Sequence, residues 1–181
     1  MKRWSIGIAG LVVAVGTGLF ASEAQAAWQE YKSEQYGIRF SLPEQWDVEV
    51  KTGDSGKVWA GSSSDGSMGF LLTILEDSED SPKKLFRNFA KEIEAEVDED
   101  TVDMDEDGVM GIATAETDGK AVMAIIGAGK EGAVSYLFMA ASDVDQFGKN
   151  EKTLSKIFES LGTLEEEEDE DEEEDEGEGE E

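Results

Sequence analysis

The chain has 181 residues, of which 44 are acidic and 15 basic, with no histidine and no cysteine, and a formal charge of −29 at pH 7. Such a field repels nucleic acid and anionic lipid, which excludes both as partners. Without histidine or cysteine there is no imidazole base for a serine triad, no thiol nucleophile, no zinc site of nitrogen and sulfur ligands, and no disulfide.

Residues 1–26 have the three parts of an export signal: Lys2 and Arg3, an apolar run from Ile6 to Phe20, and the small-x-small triplet Ala24, Gln25, Ala26. The run is shorter than the roughly 20 residues that span a bilayer, so cleavage after Ala26 is expected, with an uncleaved N-terminal anchor as the alternative. No second apolar run follows, so no stable membrane insertion is expected after cleavage. The expected location is periplasmic or secreted. Residues 27–164 then form one domain with 13 basic and 28 acidic residues, long enough for a core that buries roughly two-thirds of the unfolded surface. Residues 165–181 hold 15 acidic residues and two glycines, with no apolar residue to bury, and are expected to form a disordered polyacidic tail.

Within the domain, short strand-like segments fall at Trp28 to Tyr31 and Tyr36 to Leu42. Others follow near Trp46 to Lys51, Lys57 to Gly61 and Gly69 to Glu76, separated by glycine-, serine- and aspartate-rich turns. The period then changes. Ser81 is placed to cap a helix with Pro82 at its first position, and Leu85, Phe86, Phe89, Ile93 and Val97 recur at helical spacing, which predicts a helix over 82–97. Strands are predicted near Gly108 to Glu116, Lys120 to Ala128 and Ala133 to Ala141, joined by "TDG" and "GKEG", connections short enough only for antiparallel neighbours. "AVMAIIGA" and "AVSYLFMAA" are apolar on successive residues and so require cover on both faces. A second helix supplies it, with Asp143 and Asp145 at its start, Phe147, Leu154, Ile157, Phe158 and Leu161 as its apolar stripe, and Gly162 as its expected C-terminal cap. The expected fold class is α+β, an antiparallel sheet covered by helices on both faces, an α/β/α sandwich.

The opening "YGIRFSLPEQW", with Tyr36, Phe40, Pro43 and Trp46 at its marked positions, resembles that of the PsbP-like superfamily, as does the closing "FESL". The resemblance spans residues 28–162. It implies that those four residues pack and turn the first hairpin, and it implies a non-enzymatic binding or assembly role outside the cytoplasm. The chain departs from plant-type members in lacking histidine for metal binding and in adding the acidic run, so a photosystem role is not carried over.

Two motifs resemble catalytic ones. "GDSG" at Gly53 to Gly56 is similar to a protease nucleophile loop but has no histidine to serve it. "GAGK" at Gly127 to Lys130 is similar to the end of a phosphate-binding loop, but Ala124 stands at the first glycine position and Glu131 where Ser or Thr is needed, so a hairpin turn is expected there. Carboxylates are too numerous for any catalytic pair to stand out.

"DMDEDG" is the one metal candidate. Asp103, Asp105 and Asp107 occupy positions 1, 3 and 5 of a calcium loop, Gly108 the sharp turn and Val109 the carbonyl position, but Thr114 stands where a bidentate glutamate belongs. Either the segment is an acidic turn leading into the next strand, or it is a weak calcium site. The tail likewise divides between solubility, docking of a basic protein partner and loose binding of divalent cations. The leading expectation is an exported, non-enzymatic binding or assembly-assisting protein with the acidic tail as contact element. The alternative is an extracytoplasmic calcium-binding or cation-buffering protein.

Overall fold

A computed structural model describes residues 27–53, 56–117, 119–131 and 134–164; the expected export signal and acidic tail lie outside the described residues. The first hairpin pairs β1 (Trp28–Ser33) with β2 (Ile38–Pro43) through a 3-10 turn at Glu34–Tyr36, which closes on Gly37 at a φ of 62°. β3 (Asp47–Gly53), β4 (Gly56–Ser62) and β5 (Met68–Glu76) form an antiparallel meander. Between β4 and β5, Asp65 accepts hydrogen bonds from the Ser63 hydroxyl at 2.6 Å and from the Ser67 amide at 3.0 Å. These bonds, the first above all, hold its carboxyl below the usual carboxylate range against the opposing pull of desolvation.

α1 (Pro82–Glu92) starts as its sequence dictates, with the Ser81 hydroxyl accepting from the Lys84 amide at 3.4 Å and proline in the first turn. It is followed by two-residue strands β6 (Glu96–Val97) and β7 (Asp103–Met104), then by β8 (Gly108–Thr117), β9 (Lys120–Glu131) and β10 (Val134–Asp143). α2 (Val144–Glu159) and β11 (Gly162–Thr163) complete the domain. Among the described residues, no helix is long and apolar enough to cross a membrane.

The central sheet has the order β3-β4-β5-β10-β9-β8-β6, with β7 also on β8, and every pairing is antiparallel. α1 leaves β5, passes over β10, β9 and β8, and delivers the chain to the far edge; the last strands then return and close β10 against β5. Burial on both faces follows from the uninterrupted apolar runs. Leu75 of β5, Ile126 of β9 and Leu137 of β10 pack under Leu85, Phe86, Phe89 and Ala90 of α1. Phe70, Leu72, Ile125 and Phe138 point the other way, toward Phe147, Leu154 and Ile157 of α2. That second face is shared with a small sheet of order β1-β2-β11, whose Ile38, Phe40 and Leu42 enter the same core. Each buried aromatic or leucine in these layers contributes about 1.5–3 kcal/mol. Trp46, expected to be interior, is 5% exposed.

Three local expectations are corrected. α1 ends at Glu92 and not at residue 97, because Glu94 takes a φ of 53° and builds a Schellman turn: the Ala95 amide donates to the Ala90 carbonyl at 2.8 Å and the Glu94 amide to Lys91 at 3.2 Å. Val97 is thereby released to pair with Ala113 on β8. Gly162 is not the cap of α2; it pairs with Arg39 in β11, and Ser160 ends the helix. "GAGK" is not a turn but the interior of β9, with Gly127 opposite Phe138 and Gly129 opposite Tyr136. "GDSG" splits between strands, Gly53 pairing with Gly56, and its two central residues lie outside the described ones.

The strained cap of α1 is directly testable. Glu94 carries a side chain in the left-handed region, where glycine alone is unstrained, so Glu94→Gly is expected to raise stability by roughly 0.5–1 kcal/mol after the entropic cost of glycine is subtracted. A higher urea midpoint at unchanged slope is the expected result; a lower one would show that the Glu94 side chain makes a contact worth more than the strain.

Candidate functional site

The register of the last strands builds a cleft on the α2 face of the central sheet. Phe138 of β10 lies opposite Gly127 of β9, Gly127 opposite Met110 of β8, and Met110 opposite Asp103 of β7, so these four cross the strands in one row. The next row is Tyr136, Gly129 and Gly108. Of the three glycines in these rows, Gly127 lies beneath Phe158 of α2 and Gly129 beneath the Tyr136 ring, while Gly108 is partly exposed at the edge. The result is an open cleft of about 290 Å³ with an aromatic end and an acidic end.

The aromatic end is rigid. The Phe138 and Phe158 rings meet at 5.2 Å between centroids, and Phe138 is also edge-on to Phe70 at 5.7 Å. A Cβ at Gly129 would lie 2.2 Å from the Tyr136 ring, so glycine there is what lets the tyrosine lie flat across the strand. A Cβ at Gly127 would come within 3.2 Å of the Val109 carbonyl and 3.8 Å of Phe158.

The acidic end is where Asp103, Asp105 and Asp107 line the same cleft, joined by Lys130. Asp105 is committed to the turn: its Oδ1 accepts from the Gly108 amide at 2.7 Å and the Asp107 amide at 3.1 Å. Asp103 accepts from the Met104 amide at 2.9 Å, and the Asp107 carbonyl accepts from the Lys130 amide at 2.9 Å. Among the described residues, no group of three or more acidic side chains is gathered closely enough to hold a metal ion. The loop is also anchored from behind. Arg87 of α1 grips Glu99 with two hydrogen bonds of 2.5 and 2.6 Å, and this pairing holds the Glu99 carboxyl below its ordinary range. Thr101 Oγ1 accepts from the Ile112 amide at 2.8 Å.

Sequence reasoning found the three aspartates, because they are local, and missed the cleft they border. One signal was available: Gly127 and Gly129 are two residues apart, which puts both on one face of a strand, and Tyr136 and Phe138 have the same spacing on the strand that follows.

No protein-family model matches the chain, and neither does any curated protein. Among solved structures, it is similar to cyanobacterial PsbP (CyanoP) from Synechocystis sp. PCC 6803, with a TM-score of 0.54 and 12% identity over 81% of this chain and 98% of that one. It is more distantly similar to a protein from Bacteroides thetaiotaomicron, with a TM-score of 0.47 and 13% identity over 76% of this chain and 48% of that one. For LpqN of Mycobacterium tuberculosis, described as involved in cell envelope biogenesis, the TM-score is 0.44 and the identity 14%, over 74% of this chain and 90% of that one. The fold is therefore PsbP-like, an antiparallel sheet between helices.

The cleft's dependence on glycine is testable. Gly129→Ala should displace the Tyr136 ring and cost about 1–3 kcal/mol of overpacking strain. A lowered thermal midpoint with an altered near-ultraviolet circular dichroism spectrum is expected; an unchanged pair of measurements would mean that the ring accommodates the added methyl group where it lies.

Proposed function

We propose that this PsbP-like chain is an exported binding or assembly-assisting protein without catalytic activity, and that residues 165–181 contact a basic partner. The observation that carries the reading is the abrupt change of composition after Leu164: 15 of the last 17 residues are acidic, following a domain that already has a formal charge of −15. Charges about 3.5 Å apart along an extended chain lie well within a Debye length of about 8 Å. Such a run repels itself, attracts cations at long range, and matches a basic surface. Absence of histidine and cysteine favours surface recognition over acid–base chemistry. The basic n-region, short apolar run and Ala24-Gln25-Ala26 triplet support export to the periplasm or beyond.

Pull-down from the cell envelope, with the full chain and with a chain ending at Leu164, tests the reading. The full chain should retain a basic protein in a salt-sensitive manner and the truncated chain should lose it, while both show the same thermal unfolding at moderate salt. Unfolding of the truncated chain would mean that the acidic run is part of the folded unit. Equal recovery by both chains would move the contact into the domain.

Calcium binding is the alternative, and it rests on the D-x-D-x-D-G spacing of Asp103, Asp105, Asp107 and Gly108. A stoichiometric calorimetric event that survives removal of residues 165–181 would select it. Loss of all binding with that segment would leave only diffuse attraction of the ion.

A further inference from the structure

We infer that the cleft between α2 and strands β7 to β10 seats an amphipathic basic segment of a partner chain, an apolar side chain entering the aromatic end and a lysine or arginine reaching the aspartates. The inference rests on the reading that the protein binds a basic partner, and it adds a short-range contact on the folded domain to the salt-sensitive capture by the acidic run.

The cleft changes chemistry along its length. In the row Phe138, Gly127, Met110, Asp103 each residue belongs to the next strand. Neighbouring strands are about 4.8 Å apart, so the aromatic and carboxylate ends are separated by roughly 14 Å. A bare cation engages only one end and a plain hydrocarbon only the other. A segment that pairs an aromatic or branched residue with a nearby lysine or arginine engages both, its aliphatic stem lying along Met110 and Gly108 while its charge meets the carboxylates.

Charge complementarity selects the occupant. The ionisable side chains that line the acidic end are Asp103, Asp105 and Asp107 against Lys130, so the end is net anionic. It belongs to a domain that is itself strongly acidic, and a field of this sign draws in basic segments and turns away acidic ones. The aromatic end is fixed in place: Tyr136 packs over Gly129 and Phe158 packs on Phe138, so an entering apolar side chain meets the partly exposed Tyr136, Phe158 and Met110.

The test is a titration of the isotope-labelled full chain with the peptide Ac-Gly-Phe-Gly-Arg-Gly-amide, with EDTA present and salt at about 0.15 M to shorten the range of the tail's field. The amide resonances of Gly108, Gly127 and Gly129 should shift in a saturable manner. The double variant Asp103→Asn, Asp107→Asn should weaken binding roughly three- to tenfold, the loss expected of two part-exposed ion pairs. Asp105 is left intact because its carboxylate holds the turn. Replacing the peptide's phenylalanine by alanine should weaken binding to a similar degree. Shifts confined to residues 165–181, or affinity indifferent to the double variant, would overturn the cleft assignment while leaving the basic-partner reading in place. Failure to recover any basic protein from the envelope would instead count against that reading, wherever the peptide binds.

Discussion

A continuous line of aromatic rings holds the layers of this domain together. Tyr31 stacks on Phe40 at 5.3 Å, Phe40 on Phe70 at 5.1 Å, Phe70 meets Phe138 edge-on at 5.7 Å, and Phe138 meets Phe158 at 5.2 Å. The line starts in β1, passes through the small sheet into the central one and ends in α2. It joins elements far apart in sequence at the place where neither sheet has a backbone hydrogen bond to offer the other. Pairs of this kind contribute about 0.5–1.5 kcal/mol beyond the area they bury. The cleft is its outer end: Phe158 is partly exposed there and packs on the buried Phe138, so the rigidity of the site is inherited from the core.

Around that line, side-chain hydrogen bonds fix the small sheet in place. The Tyr36 hydroxyl donates to Glu76 at the end of β5 at 2.5 Å, and the bond, with desolvation, raises the phenol's pKa. Lys156 of α2 lies over the Trp28 ring at 4.1 Å. Not every buried polar group is satisfied. Ser135 is fully buried on the α1 face, and its hydroxyl has no partner among the described residues. Such a group costs on the order of 1–3 kcal/mol, a local charge against the stability supplied by the aromatic line.

What could be read from the sequence and what could not divides along a physical boundary. Ser81 and Pro82 announced the start of α1, and the unbroken apolar runs of β9 and β10 announced a sheet covered on both faces, because both signals act through near neighbours. The end of α1 was hidden because a glutamate fills a position that glycine usually marks. β11 was hidden because a two-residue strand has no periodicity; it exists only through its pairing with β2. The candidate site shows the same split. Its aspartates sit in one hexapeptide, whereas its walls depend on the register of β8, β9 and β10 and on where the last turn of α2 comes to rest.

The way the chain leaves the domain has a mechanical consequence. β11 is joined to β2 only at Gly162 and Thr163, the Leu164 amide donates to the Gly37 carbonyl at 2.8 Å, and the Ser160 hydroxyl accepts from the Ser41 amide at 2.8 Å. Tension applied beyond Leu164 is therefore borne first by this short seam, one bond after another, before any load reaches α2 or the aromatic line. With only two paired residues, the seam is the first part of that path to open.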